Sequence, residues 1–583
     1  MTDSSLLTPP ADVAEGSAGA RRWSAVVSAY RSVASELPLA DGLSVVGFAA
    51  LSLVMLGTLG DYGLTYDEEP HIRYGEMVLQ FYTGGRGLST GLAESSYGPG
   101  FDLVAALLRR ISPWDAYVTN HWLCVLVAQI GLLGTWRLGR LVAGPAGGLT
   151  ALVFLALTPV YYGHQFNNPK DIPFAVGYVW GLYFIARLAC FVPTAAAALG
   201  DHGGPLPRGR RYWWAFALVL GLGMLVRVGG AILVAYLGAF LVALGIDLWR
   251  QRGAVQLRTL LPLAGRALGA ALGGWLLLIV AWPRALSKPL AGPAAALKTV
   301  TQFTQYDSPT LLRGKSISSN HVPWDYLPTY FAMQLPELLS LCVLGTLLGL
   351  FWVSLGRWRR RSALPLVHWL LVIAVLLPPV YAIARHSTLY NGLRHFLFLI
   401  PPLAVLGAAG VTALAEVWGQ RSLLARRLVW LVVLAFALDQ VRALWILHPD
   451  EHVFFNRASG GIRAAVGRYE TEYYGAVYRQ LLGDLLEKTW REQRENYLNT
   501  TFSVSGCGSK LFFTKNLPLN FEYRSMRRSS HADFYATYVR DGCLERYRDY
   551  VPLARVERSG ALLAVARDLH HKIKPRARQG TPP

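Results

Sequence analysis

The sequence predicts an α-helical polytopic membrane protein with a small α/β domain at its C-terminal end. Three observations predict it. Charged residues make up 16% of the chain and hydrophobic ones 53%, whereas soluble globular chains carry about 25% charged residues. Apolar runs long enough to cross a hydrocarbon core, about 20 residues each, recur from residue 42 to residue 446. Beyond residue 447 the apolar runs shorten, and charges interleave with Tyr and Phe.

In chain order, the N-terminal segment 1–41 begins with a polar stretch to residue 20, so no cleavable signal peptide is evident. RRWSAVVSAYRSVASEL then gathers Trp23, Val26, Val27, Tyr30 and Val33 near one helical face. That pattern suits an amphipathic helix, either on the cytoplasmic leaflet or packed on the protein itself. Eleven spans follow, at about 42–60, 117–136, 146–163, 172–190, 212–226, 230–248, 262–281, 337–356, 364–384, 396–418 and 428–446. The fifth is short, and the break after it, LVRVGG, is tight.

Short arginine clusters orient these spans. Arg137 and Arg140, Arg208 to Arg211, Arg250 to Arg258, Arg357 to Arg361 and Arg421 to Arg427 all fall on the side of the N terminus. The positive-inside rule makes that side cytoplasmic. The formal charge of +20 is therefore spent on orienting clusters, and no nucleic-acid partner is expected. Loop 61–116, links 164–171 and 385–395, loop 282–336 and everything after 447 then lie outside.

Loop 61–116 places HIRYGEMVLQFYTG and FDLVAALLRRI on either side of the turn SSYGPG. Two membrane-skimming helices in a long loop suit an active-site roof. The C-terminal domain, 447–570, has helical periodicity over 474–496 and strand-like patches at 511–513, 534–539 and 560–566. The basic, proline-bearing tail 571–583 reads as disordered. Cys124, Cys190 and Cys342 lie in apolar runs and read as core residues, while Cys507 and Cys543 are free to pair if their domain is extracytoplasmic. No pair has metal-site spacing.

Four groups of residues bear on chemistry. GDYGLTYDEEPHIRYGE follows span one and holds Asp67, Glu68 and Glu69, with His71 and Arg73 close behind. A carboxylate near low dielectric can accept a proton from a hydroxyl, although charges ahead of Pro70 also suit a helix start. NNPKDIPF puts Lys170 and Asp171 where span four begins, and Asp171 also fits a helix cap there. Arg227 lies between spans five and six, and Arg394 with His395 opens span ten. Such cations serve as interfacial anchors or, on the same side as the acids, as a phosphate clamp. Loop 282–336 adds Tyr306, Asp307, His321, Trp324, Asp325 and Tyr326. Aromatics with acids suit sugar recognition, and interfacial aromatic belts share the pattern.

This arrangement resembles the polytopic GT-C glycosyltransferases, in particular the bacterial protein O-mannosyltransferase and aminoarabinose-transferase relatives. YDEEPH in the first outer loop carries the likeness, NNPKDIPF looks like that family's second acidic site, and YNGLRHFLFLIPPL looks like a family segment. The resemblance implies a transferase in the bacterial cytoplasmic (inner) membrane, with its active site facing the extracytoplasmic side. Its donor would be a polyprenyl-phosphate sugar and its acceptor a protein, lipid or glycan.

Within that resemblance Asp67 matches the catalytic acid that serves as base, with Glu68 as its neighbour, and Asp171 matches the second acid. Lys170, Arg227, Arg394 and His395 would neutralise the lipid phosphate, and Glu69, His71, Arg73, Tyr306 and His321 are candidate substrate-binding residues. Direct displacement would invert the anomeric centre. Glu69 and His71 have no counterpart in the family pattern, which leaves open which carboxylate is the base and whether a divalent metal takes part. The alternatives are a transporter, which would place charges in mid-span, and a non-enzymatic cell-envelope assembly protein, which would make the C-terminal domain the working part.

Overall fold

The computed structural model describes residues 38–84, 93–198, 209–253, 257–301, 307–540 and 542–572. The expected amphipathic helix before residue 38, Tyr306 and the tail beyond 572 lie outside the described residues. Among the described residues, nine helices are long and apolar enough to cross a membrane.

The helices that matter here are α1 (Pro38–Thr58), α2 (Glu68–Tyr82), α3 (Gly100–Arg109), α4 (Ala116–Ala156), α5 (Asp171–Ala198), α6 (Arg210–Met224), α7 (Ile232–Arg252) and α8 (Leu257–Ala281). After them come α9 (Glu337–Arg359), α10 (Leu366–Ala384), α11 (Ile400–Gly419) and α12 (Leu423–Leu447). At 41 residues α4 is twice the length of a span. Its backbone leaves helical geometry at Ala143 and Gly144, where Gly144 takes φ +71°, and Pro145 opens the second half. Glycine meets that left-handed position without steric cost, and proline suits a first helical turn. With α4 counted as two crossings and α6 added at 15 residues, the bundle has the eleven expected spans.

Burial separates core helices from lipid-facing ones. Over an 18-residue apolar stretch of each, the spans at 394–419, 171–189 and 116–156 are 78%, 72% and 67% buried, against 11% for 423–447 and 17% for 39–61. Hence α4, α5 and α11 form the centre of the bundle. The outer helices turn side chains such as Leu53 and Trp445 outward, as a hydrocarbon solvent favours. In loop 61–116, α2 and α3 are the two expected amphipathic helices. Loop 282–336 also holds a hairpin that the sequence reading lacked, β1 (Pro309–Leu312) with β2 (Lys315–Ser318). Arg313 and Gly314, both at positive φ, make its two-residue turn.

The C-terminal domain is a five-stranded mixed sheet ordered β4-β3-β5-β7-β6. Its strands are β3 (Phe502–Gly506), β4 (Phe521–Arg524), β5 (Phe534–Tyr538), β6 (Tyr550–Arg558) and β7 (Ala561–Lys572). The helix expected over 474–496 is α13 (Tyr478–Gln493), and β5 and β7 stand where strands were expected. Residues 511–513 are helical, however, within α14 (Lys510–Asn516). Ser509 accepts from the Leu511 amide at 3.2 Å and starts a helix there, which buries Phe512 and Phe513 together. The reading also missed β3, whose FSVSG is buried throughout in spite of two serines.

Cys507 and Cys543 form a disulfide that closes a 36-residue separation. Chain entropy assigns a loop of that length about 3–4 kcal/mol. Replacing both cysteines by serine is therefore expected to lower the domain's unfolding midpoint by several degrees, as measured on the full chain.

Candidate active site

Four chain segments meet at one end of the bundle. The first is the turn into α2. Asp67 occupies the N-cap position, but its side chain makes no capping bond. Glu68 takes on the local work instead. Its Oε2 accepts from the Thr65 amide at 2.8 Å and the Thr65 hydroxyl at 3.1 Å, and its Oε1 meets His121 Nε2 at 2.8 Å. Both Glu68 oxygens are thus occupied and fully buried, while Asp67 is left for other partners.

The second segment is the start of α5. Asn168 Oδ1 accepts from the amides of Asp171 at 2.9 Å and Lys170 at 3.3 Å, so Asn168 caps the helix rather than Asp171. Asn167 donates to the Gly63 carbonyl at 3.0 Å, and the Thr65 hydroxyl, whose single proton is shared with Glu68 Oε2, lies 3.2 Å from the Asn167 carbonyl. These bonds lace the two acidic motifs together. Arg227 sits between α6 and α7, and Arg394 stands just ahead of α11.

Asp67 Oδ2 is bonded to Arg394 Nη2 and lies 3.2 Å from Lys170 Nζ. Asp171 Oδ1 accepts from Arg227 Nη2, and its Oδ2 accepts from Arg394 Nε at 3.2 Å and from Asn168 Nδ2 at 2.9 Å. Arg394 therefore bridges the two acids. Tyr97, carried on the SSYGPG turn, lies under the cations, with its ring centroid 5.3 Å from Lys170 Nζ and 5.7 Å from the Arg227 guanidinium. A hydrogen bond from the Gly100 amide to the Leu225 carbonyl, 2.7 Å, docks that turn beside Arg227.

Charge and burial give the cluster its character. Three cations face two carboxylates, which leaves one positive charge in excess, and a buried excess charge favours an anionic partner. Asp171 and Arg394 expose 3% and 4% of their side chains, while Lys170, Arg227 and Asp67 expose 11%, 13% and 19%. Access therefore runs along the Asp67, Lys170 and Arg227 edge.

The other expected residues fall elsewhere. Glu69 pairs with Arg73 at 2.8 Å on the surface of α2 and accepts from the Tyr117 hydroxyl. Burial alone would raise the Glu69 carboxyl, but Tyr117 and Arg73 hold it below its usual range. His71 Nδ1 meets Asp102 at 2.9 Å in a buried pair behind Tyr97. His395 packs edge-on against Tyr390 at 4.5 Å beside Arg394. His321 is exposed on the turn after β2 and meets the Ser318 hydroxyl at 3.3 Å. Asp67, Asp171, Lys170, Arg227 and Arg394 converge; Glu68, Glu69, His71, Arg73, His395 and His321 make these other contacts.

A divalent metal does not fit these residues. Among the described residues, no three His, Cys, Asp or Glu side chains are grouped to hold one, and the two carboxylates are already engaged by cations.

Sequence reasoning missed the layer behind the cluster. Asn168 Nδ2 lies 3.2 Å from His164 Nδ1, and His164 Nε2 lies 2.9 Å from the Tyr473 hydroxyl. Next to them His452 and Glu472 form a buried pair at 2.9 Å, and Arg558 pairs with Asp450 at 2.7 Å. Only an acid-and-histidine-rich HPDEH at the domain boundary hinted at this layer.

These pairs make the stability of the C-terminal domain pH-dependent. Burial pushes His452 down, but the Glu472 carboxylate more than offsets it and raises its proton affinity. Burial pushes Asp450 up to about 6 against the opposing pull of Arg558. Above its unfolded value, about 6.5 for His and about 3.9 for Asp, each group binds more protons folded than unfolded. Stability therefore falls as pH rises through the folded values. His164, which burial and the neighbouring His452 hold well below its usual value, works in the opposite sense near pH 6. The variant is therefore the test: His452→Gln is expected to cost more stability at pH 6 than at pH 8.5, and an equal loss at both contradicts the assignment.

No family model matches the chain, and no curated protein matches it. Among solved structures it is similar to ArnT from Cupriavidus metallidurans in the apo state, at 15% identity over 90% of this chain and 97% of that one, with a TM-score of 0.44. The same protein bound to undecaprenyl phosphate gives 15% identity over the same shares, with a TM-score of 0.41. The oligosaccharyltransferase of Archaeoglobus fulgidus in the apo form gives 13% identity and a TM-score of 0.45, over 81% of this chain and 63% of that one.

Proposed function

We propose that the chain is a membrane glycosyltransferase that moves a sugar from a polyprenyl-phosphate donor to a hydroxyl-bearing protein, lipid or glycan. The convergence of Asp67, Asp171, Lys170, Arg227 and Arg394 carries this reading. The donor's phosphodiester bears one negative charge, which matches the one positive charge in excess, and the three cations stabilise the charge that grows on the leaving phosphate.

Asp67 takes the proton of the acceptor hydroxyl, the hydroxyl oxygen bonds to the anomeric carbon, and the bond from that carbon to the phosphate oxygen breaks. Its electron pair leaves with polyprenyl monophosphate, and the anomeric centre inverts. Asp67 is freed to act as base once the donor phosphate draws Lys170 and Arg394 toward itself. Asp171 holds Arg227 and Arg394 in place for that exchange. The site faces the extracytoplasmic side of the bacterial cytoplasmic membrane, domain 42–446 carries the chemistry and 447–570 covers it. The Cys507–Cys543 bond accords with an oxidising compartment.

The test is the lipid pool of cells that lack the protein. One polyprenyl-phosphate sugar is expected to accumulate, and the wild-type gene should clear it. An unchanged pool contradicts the proposal.

A further inference from the structure

The stretch Thr471–Ala476 leads into α13 of the C-terminal domain, yet it reaches the acid and cation cluster. The Tyr474 hydroxyl donates to Asp67 Oδ2 at 3.3 Å, and the Arg394 guanidinium lies over the Tyr474 ring at 4.7 Å from its centroid. One side chain thus touches both halves of the central ion pair. Its backbone is held as closely. The Tyr66 amide donates to the Tyr474 carbonyl at 3.2 Å. Gly63 passes so near that a Cβ there would lie 1.9 Å from the Ala476 carbonyl oxygen.

The placement of Tyr474 has a definite cause within the C-terminal domain. Glu472 is fully buried, and its Oε1 accepts from the amides of Tyr474 and Gly475 at 2.7 Å each. Its other oxygen pairs with His452 at 2.9 Å, and Arg540 donates to the Tyr473 carbonyl at 2.8 Å. A carboxylate that binds two consecutive amides fixes the turn, and the turn fixes where Tyr474 points.

We propose that Tyr474 is a positioning residue for Asp67 and Arg394, set in place by the Glu472–His452 pair, so that the C-terminal domain is a working part of the site. This rests on reading the cluster as a lipid-phosphate site. The hydroxyl orients one Asp67 oxygen, and the ring keeps the Arg394 plane facing the anion position. Glu472 acts only through Tyr474.

The experiment uses the full chain in detergent with C55 polyprenyl monophosphate as probe, and reads affinity by native mass spectrometry at neutral pH. Tyr474→Ala is expected to weaken binding about tenfold, the scale of a lost cation–π contact at a desolvated site. Glu472→Gln should follow it. In an Arg394→Ala background Tyr474→Ala should add no further loss. Tyr474→Phe keeps the ring and should bind as wild type does at neutral pH. Wild-type affinity in Tyr474→Ala, an additive loss in the double variant, or a loss in Tyr474→Phe as large as in Tyr474→Ala each overturns the proposal while leaving the lipid-phosphate reading intact. Failure of the wild-type chain to bind the probe overturns that reading and this proposal together.

Discussion

Asp67→Asn is expected to lower sugar transfer about a thousandfold, within the usual worth of a general base, and to bind polyprenyl monophosphate more tightly than the wild type. The two effects have one cause. In the proposed reaction the Asp67 carboxylate, paired with Lys170 and Arg394, is both the proton acceptor and a competitor with phosphate for those two cations. The amide cannot take the proton, and it leaves two positive charges in excess where there was one. The affinity gain should be about tenfold, a modest share of the Coulomb energy of neighbouring charges at intermediate dielectric. Titration with C55 polyprenyl monophosphate measures it. Weaker binding by Asp67→Asn would mean that the carboxylate does not share its cations with phosphate.

The second large effect is that of Arg394→Ala. Arg394 is buried and spans both acids, with Nε on Asp171 at 3.2 Å and Nη2 on Asp67. Its removal leaves two carboxylates facing two cations and no excess charge to attract an anion. Lipid-phosphate binding should fall by at least about tenfold, as loss of a charge-assisted bond implies. Breaking a buried ion pair costs about 3–5 kcal/mol. Here the low end applies, because Asp171 keeps Arg227 and Asn168, and Asp67 keeps Lys170. Binding titration and thermal unfolding on one preparation separate the two effects. Arg394→Lys restores the charge but not the two-pronged reach, so it should recover stability better than affinity.

The cluster was legible because charge is rare in this chain. Asp67, Lys170, Asp171, Arg227 and Arg394 stand out at the ends of apolar runs, and the arginine pattern put them all on one side. The division of labour between Asp67 and Glu68 was not legible. Adjacent carboxylates look alike in sequence, and only the turn into α2 decides that Glu68 serves Thr65 and His121 while Asp67 meets the cations. The same holds for Asn168 and Asp171, where the asparagine takes the cap and releases the acid. Tyr474 was beyond reach for another reason. It stands 407 residues from Asp67, in a domain whose strand order no periodicity reveals. In that domain LFF reads as a strand patch, yet Ser509 makes it a helix.

The most direct measurement is a cryo-EM structure of the full chain with C55 polyprenyl monophosphate bound. The phosphate is expected between Lys170, Arg227 and Arg394, within about 3 Å of their nitrogen atoms, with the Asp67–Arg394 bond opened. A lipid phosphate bound elsewhere, with Asp67 still clasped by Arg394 and Asp171 by Arg227, would contradict the account.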